Sequence, residues 1–82
     1  MSHFKYIVQQ NSLAESIFLF PPWETHAQVA YLLGGKTVSA GFVQLSYDNS
    51  NLTVRTYGRS ESLDMDSRSS DAELIKAFVQ SG

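Results

Sequence analysis

The chain has 82 residues, 43% of them hydrophobic and 12% aromatic, which is too apolar for a disordered segment and sufficient for one domain, 1–82. Six basic and eight acidic residues give a formal net charge of -2, which predicts no nucleic-acid partner. The lack of cysteine excludes disulfides and thiolate metal sites, and no apolar run is long enough to span a membrane. We therefore expect a globular, cytoplasmic protein with no membrane partner.

Two short strands are predicted at the start of the chain. Residues 4–9 (FKYIVQ) are rich in aromatic and β-branched side chains, and residues 15–20 (ESIFLF) form a second apolar run. Pro21 and Pro22 end that run, because proline cannot donate a hydrogen bond to a sheet. We expect the two strands to pair as a hairpin.

An amphipathic helix is predicted after the prolines, over residues 23–33. The glycine pair at 34–35 supplies its C-terminal stop. One face of this helix would carry four side chains at helical spacing: His26, Val29, Ala30 and Leu33.

A second hairpin is predicted from residues 36–47 and 51–57, which flank the turn sequence Asp-Asn-Ser-Asn. The first of these strands alternates in two phases. Val38, Ala40 and Phe42 would share one face, and Val43, Leu45 and Tyr47 the other. The change of phase beside Gly41 predicts a β-bulge or bend at that glycine.

The rest of the chain is predicted to be a loop followed by a helix. Residues 58–69 are polar and serine-rich, which is typical of a loop. Ser70 and Glu73 match a capping box, and an apolar stripe follows them to the end of the chain. The predicted fold is α+β, a mostly antiparallel four-stranded sheet with two helices in the order ββαββα.

His26 is the strongest candidate for chemistry. It would lie in the first helical turn, where unpaired N–H groups and the positive helix end attract anions. The same positive end favours a neutral imidazole, which is the form that can act as a nucleophile or accept a proton. The alternative is structural, with the ring packed on the sheet and hydrogen-bonded to one carbonyl.

Three further features could form a binding site with His26. Lys5 in the first strand could hold a phosphoryl oxygen, although a strand lysine is more often a solvated surface residue. Gly58 permits close approach of the backbone, and Arg59 and Ser60 follow it. The sequence carries no zinc, P-loop or dinucleotide-binding motif, so we expect neither a metal nor a cofactor.

Four short segments, in this order, resemble the janus/ocnus family of small phosphohistidine phosphatases. They are residues 4–7 (FKYI), 23–27 (WETHA), 33–35 (LGG) and 57–60 (YGRS). The resemblance covers most of the chain, from Phe4 to about Ser62.

The resemblance implies metal-independent removal of a phosphoryl group from phosphohistidine, with a phosphorylated protein or small anion as partner. His26 would activate water as a general base or accept the phosphoryl group itself, and Lys5 would help to hold the phosphate. The amides of His26 and Ala27 and the Ser60 side chain would form the oxyanion cradle. The acidic segment 61–66 departs from the family pattern, since its charge would repel phosphate in the pocket, and Arg59 could offset it.

The rival prediction is a non-catalytic interaction module or homodimer on the same scaffold. Family members have a further strand after the last helix, and without it a sheet edge would be open to strand pairing between two copies. Exposure of Trp23, Phe18 or Phe20 would favour this alternative.

Overall fold

The fold is built on a four-stranded antiparallel sheet. The computed structural model describes residues 2–81 of the chain. The elements are β1 (Ser2–Gln10), β2 (Glu15–Phe20), α1 (His26–Leu33), β3 (Lys36–Asp48), β4 (Asn51–Tyr57), β5 (Arg59–Ser60), β6 (Met65–Asp66) and α2 (Asp71–Ser81). The first four strands pair in the order β2-β1-β3-β4. This confirms the predicted α+β class and the four-stranded sheet with two helices.

The sheet is covered on both faces, because successive side chains of a strand point to opposite sides. On one face Tyr6, Val8 and Val43 pack with Ile75 of α2, and all four are fully buried. On the other face Ile7, Phe20 and Ala40 form a smaller cluster against α1 and the β5–β6 segment. The helices therefore lie on opposite sides of the sheet.

The predicted loop at 58–69 is wrong in part, since it contains a two-stranded hairpin. Arg59 pairs with Asp66 and Ser60 with Met65. Leu63 and Met65 of this β5–β6 hairpin pack against the smaller core cluster, and these contacts hold the segment on the sheet. Paired stretches of only two residues are too short to show a strand period, so the sequence pattern does not reveal them.

The bulge in β3 lies at Val38 and not beside Gly41 as predicted. Val8 pairs with Ser39 and the next residue of β1 pairs with Thr37, so Val38 is the additional residue. This shift moves Val38 to the side of the larger core cluster. Gly41 has a different role, since a Cβ there would lie 2.9 Å from the carbonyl oxygen of Tyr57.

One of the two helices begins where the sequence predicts. Helix α1 starts at His26 instead of Trp23, because Thr25 in extended conformation is its N-cap, and the predicted stop at Gly34 is confirmed. Helix α2 begins at Asp71, directly after Ser70 as predicted, but among residues 2–81 the side chains of Ser70 and Glu73 make no capping hydrogen bond. The Asp71 carboxylate instead accepts the backbone N–H of Arg68 at 2.9 Å.

Candidate functional site

A cleft of about 450 Å³ opens where α1 begins. Strand β1, the start of α1, β3 and the β5–β6 hairpin all contribute to it. Its lining residues are Lys5, Thr25, His26, Phe42, Arg59, Glu61 and Ser62. Three side chains singled out from the sequence, those of Lys5, His26 and Arg59, therefore meet at one cleft.

The His26 ring is fixed in place by three contacts. It is only 3% exposed and meets the rings of Phe20 and Phe42 edge-on, with centroids 5.4 and 5.7 Å away. Its Nε2 lies 2.8 Å from the carbonyl oxygen of Gly41. This is the structural arrangement that the sequence left open, a ring packed on the sheet and bonded to one carbonyl.

The same hydrogen bond defines the chemistry that His26 can offer. A carbonyl oxygen only accepts, so Nε2 carries the proton and Nδ1 of the neutral ring keeps a lone pair. Within residues 2–81, Nδ1 has no hydrogen-bond partner. The ring lines the cleft, so a fixed histidine with an available lone pair lies at the start of α1.

The environment keeps this imidazole neutral. Burial lowers the pKa of His26 below its ordinary value of 6.5, and the positive charge of Lys5 lowers it further. The hydrogen bond to Gly41 acts in the opposite direction without reversing the shift. The sequence led us to expect a neutral ring from the helix end, whereas burial is the main cause in the structure.

Lys5 is held on the α1 side of the sheet. Its Nζ donates to the carbonyl oxygen of Glu24 at 2.7 Å and lies 6.0 Å from the centre of the Phe42 ring. An ammonium group has three N–H donors, so donors remain that can reach a ligand in the cleft.

The backbone amides of the first helical turn are partly occupied. Thr25 Oγ1 accepts the Gln28 N–H at 3.1 Å, and Ser62 Oγ accepts the Ala27 N–H at 3.1 Å. The His26 N–H has no partner among residues 2–81. Of the two amides expected to form an oxyanion cradle, that of Ala27 is thus already bound to the hairpin.

Ser60 and Gly58 stabilise the β5–β6 hairpin through hydrogen bonds. Ser60 is fully buried, and its Oγ accepts the Leu63 N–H at 3.1 Å and lies 3.4 Å from Ser62 Oγ. Gly58 has a left-handed φ of 72°, and its carbonyl accepts the Ser67 hydroxyl at 2.8 Å. Neither lines the cleft, whereas Ser62 of the same hairpin does, as does Thr25 before α1.

Arg59 lies at the cleft, but its charge is shared among the carboxylates of its own hairpin. Its guanidinium lies 2.6 Å from Asp64, 3.0 Å from Asp66 and 3.7 Å from Glu61. Hydrogen bonds to Asp64 and Asp66 raise the pKa of Arg59. Arg59 therefore offsets part of the negative charge of segment 61–66, since one guanidinium faces three carboxylates.

Sequence reasoning missed four of the lining residues: Thr25, Phe42, Glu61 and Ser62. Thr25 carried a recognisable signal, because threonine is a favoured N-cap directly before a helix. Ser62 carried none, since its place depends on how the 58–69 segment folds back on α1.

Comparisons with known proteins found no match: no family model, no curated protein and no solved structure is similar to this chain. The janus/ocnus resemblance thus rests on its four short segments alone. Within residues 2–81 there is no group of three side chains able to hold a metal ion, and no helix with the length and apolar character needed to cross a bilayer.

Proposed function

We propose that the cleft at the start of α1 binds a small phosphoryl anion, either free or carried on a protein. The observation that carries this proposal is the meeting of the Lys5 ammonium, the unpaired His26 amide and the fixed His26 ring around one cleft. A cation and a helix N-terminal N–H group both favour an anion. The opposing carboxylates of Glu61, Asp64 and Asp66 are 79–90% exposed, so water and salt screen them.

We extend the proposal to hydrolysis of phosphohistidine. Nδ1 of His26 has the lone pair that either route requires. It could attack phosphorus, forming a new N–P bond as the bond to the substrate histidine breaks, after which water releases phosphate. In the alternative route it acts as a general base and takes a proton from water, whose oxygen bonds to phosphorus as the P–N bond to the substrate histidine breaks.

Anion binding is tested by adding inorganic phosphate to the isotope-labelled protein at constant ionic strength and following the amide signals by NMR. We expect saturable shifts at Lys5, at His26 and in the hairpin. Lys5→Met should weaken binding several-fold, whereas the matched control Lys36→Met, an exposed lysine beyond the other end of α1, should leave it unchanged. Shifts that are absent, or that survive Lys5→Met unaltered, would contradict the proposal.

Hydrolysis needs a separate assay, with a phosphohistidine peptide followed by ³¹P NMR. Wild type should release phosphate and His26→Gln should not, with circular dichroism showing that the variant is folded. No turnover, or equal turnover in both proteins, rejects the catalytic extension, while the phosphate titration decides binding independently.

One observation favours the second candidate, self-association through the sheet edge. Strand β2 is an edge of the sheet, and within residues 2–81 no strand pairs with its outer side. Its single charge, Glu15, is bound to Arg68, so it does not protect the edge. Trp23 is 80% exposed as this alternative expects, whereas Phe20 is buried and Phe18 partly buried.

Analytical ultracentrifugation over protein concentrations from micromolar to millimolar tests whether the chain self-associates through strand β2. Dimers that dissociate on Phe18→Lys, but not on the control Tyr47→Lys at an exposed position of β3, would support pairing through β2. A monomer throughout the range rejects it.

A further inference from the structure

The outer side of α1 is unusually apolar. Two bulky side chains there are almost fully exposed, Tyr31 at 86% and Leu32 at 82%. Trp23, which precedes the helix and is next to Glu24 in the sequence, is 80% exposed. A groove of about 500 Å³ runs along this side, lined by Glu24, Ala27, Gln28, Tyr31 and Leu32. We call these five residues the outer α1 face.

The fold does not require this face. Helix α1 packs on the smaller core cluster through Val29 and Ala30, and His26 is its one buried residue. The solvent side of such a helix ordinarily carries polar side chains. Grouped apolar residues at the surface are typical of a binding surface.

The charge around the groove limits what can cover it. Glu24 is its only charged lining residue. The β5–β6 hairpin is next to the groove, because Ser62 accepts the N–H of the lining residue Ala27. The hairpin carries three carboxylates and one guanidinium. This end of the molecule is therefore acidic on its surface.

The distribution of charge over the whole chain sharpens this limit. The formal net charge is -2. Glu24 and the three hairpin carboxylates, set against Lys5 and Arg59, account for all of it, since the remaining acidic and basic residues balance. A second copy docked here would bring two negative ends together, whereas a basic segment would be attracted.

We propose that the outer α1 face binds a short amphipathic segment of another protein, with bulky apolar side chains flanked by lysine or arginine. The apolar side chains would pack against Tyr31 and Leu32, and a basic side chain would lie beside Glu24. Helix α1, eight residues and about 12 Å long, offers room for roughly two turns of a partner helix. This inference is independent of anion binding in the cleft.

The test uses two synthetic amphipathic peptides with the same leucine pattern, one with lysine and the other with glutamate at every polar position. Trp23 is the only tryptophan in the chain and the sequence neighbour of Glu24 in the groove, so its fluorescence is the readout. We expect saturable binding of the lysine peptide and at least tenfold weaker binding of the glutamate peptide.

Variants separate docking from general charge attraction. Leu32→Ser should weaken binding of the lysine peptide about tenfold and Glu24→Gln several-fold. Phe78→Ser, at a half-exposed apolar position of α2, is the matched control and should have no effect. All three positions are at the surface, so the variants are expected to fold.

Three outcomes would overturn the inference. They are equal binding of both peptides, binding that survives Leu32→Ser, and sedimentation showing that the free chain self-associates through this face and loses that association on Leu32→Ser.

Discussion

At the scale of single residues, His26 combines burial with an available lone pair, and its titration is directly measurable. We predict that the His26 ring signals titrate below pH 6.5 in an NMR experiment, because burial and the Lys5 charge both disfavour the protonated ring. Lys5→Met should raise the pKa of His26, since it removes the second cause.

Lys36→Met is the control for this titration, because it removes a positive charge beyond the opposite end of α1. A pKa of His26 at or above 6.5 in wild type, or one that Lys5→Met leaves unchanged, would contradict the geometry of the cleft.

The depressed pKa of His26 also predicts how stability depends on pH. As pH falls below 6.5 the unfolded chain takes up a proton that the folded protein resists, so the free energy of unfolding decreases. Denaturant unfolding between about pH 7.5 and 5 should show this loss in wild type and a smaller loss in His26→Gln. Glu15, whose pKa is lowered by its hydrogen bond to Arg68, adds to this loss of stability only below pH 4.5, where its carboxylate is protonated in the unfolded chain. If the free energy of unfolding falls equally steeply with decreasing pH in the two proteins, His26 is not the group responsible.

Of the seven residues that line the cleft, the sequence predicted Lys5, His26 and Arg59 and missed Thr25, Phe42, Glu61 and Ser62. Lys5 and His26 could be placed because a strand and a helix fix the direction of their side chains. Ser60 and Ser62 are two residues apart in a segment without periodicity, so which hydroxyl reaches the cleft was decided by the turn at 61–64.

At the scale of elements, the start of α1 depends on its N-cap. Thr25 accepts the Gln28 N–H through its side chain, which satisfies one amide of the first turn. Thr25→Ala should lower the free energy of unfolding by about 1 kcal/mol, measured by urea unfolding. Thr25→Ser keeps the hydroxyl and should retain most of that stability, and a loss of the same size in both variants would rule out capping as the cause.

A buried polar network connects α2 to the sheet. The Asp71 carboxylate is fully buried and accepts hydrogen bonds from the Tyr6 hydroxyl at 2.5 Å and Arg68 Nε at 2.9 Å. Arg68 also binds Glu15 of β2. One arginine therefore joins the first turn of α2 to the edge of the sheet.

Removal of Arg68 should be more damaging than removal of any exposed arginine. Arg68→Met leaves the Asp71 carboxylate buried without its cation, which predicts a loss of about 3 kcal/mol in the free energy of unfolding. Arg55→Met, at an exposed position of β4, is the control and should change it by less than about 0.5 kcal/mol. Similar losses in both variants would show that the Arg68 network adds no more to stability than an exposed arginine does.

Elements with a clear period were predictable, and their irregularities were not. The four long strands and both helices follow from alternation, helical spacing and turn residues. The bulge at Val38 and the hairpin at 59–66 arise from packing between distant segments. A local pattern does not contain that information.

At the scale of the whole molecule, burial is uneven, and this uneven burial predicts a gradient of local stability. Four successive residues of β1, 6–9, are buried at the centre of the sheet, whereas α1 has one buried residue and an apolar outer face that no described segment covers. Segments with few buried contacts open without global unfolding. The cleft and the outer α1 face therefore lie on the part of the fold that should open most readily.

Hydrogen exchange measures this gradient. We predict that the amides of the last turn of α1 exchange about a hundredfold faster than those of Tyr6, Ile7 and Val8, after correction for intrinsic rates. Helix α2, anchored by the buried residues Asp71 and Ile75, is the internal control and should exchange more slowly than α1. Equal protection of the two helices would show that α1 is held as firmly as the sheet, and then a cleft built at its N-terminus would be rigid even without a ligand.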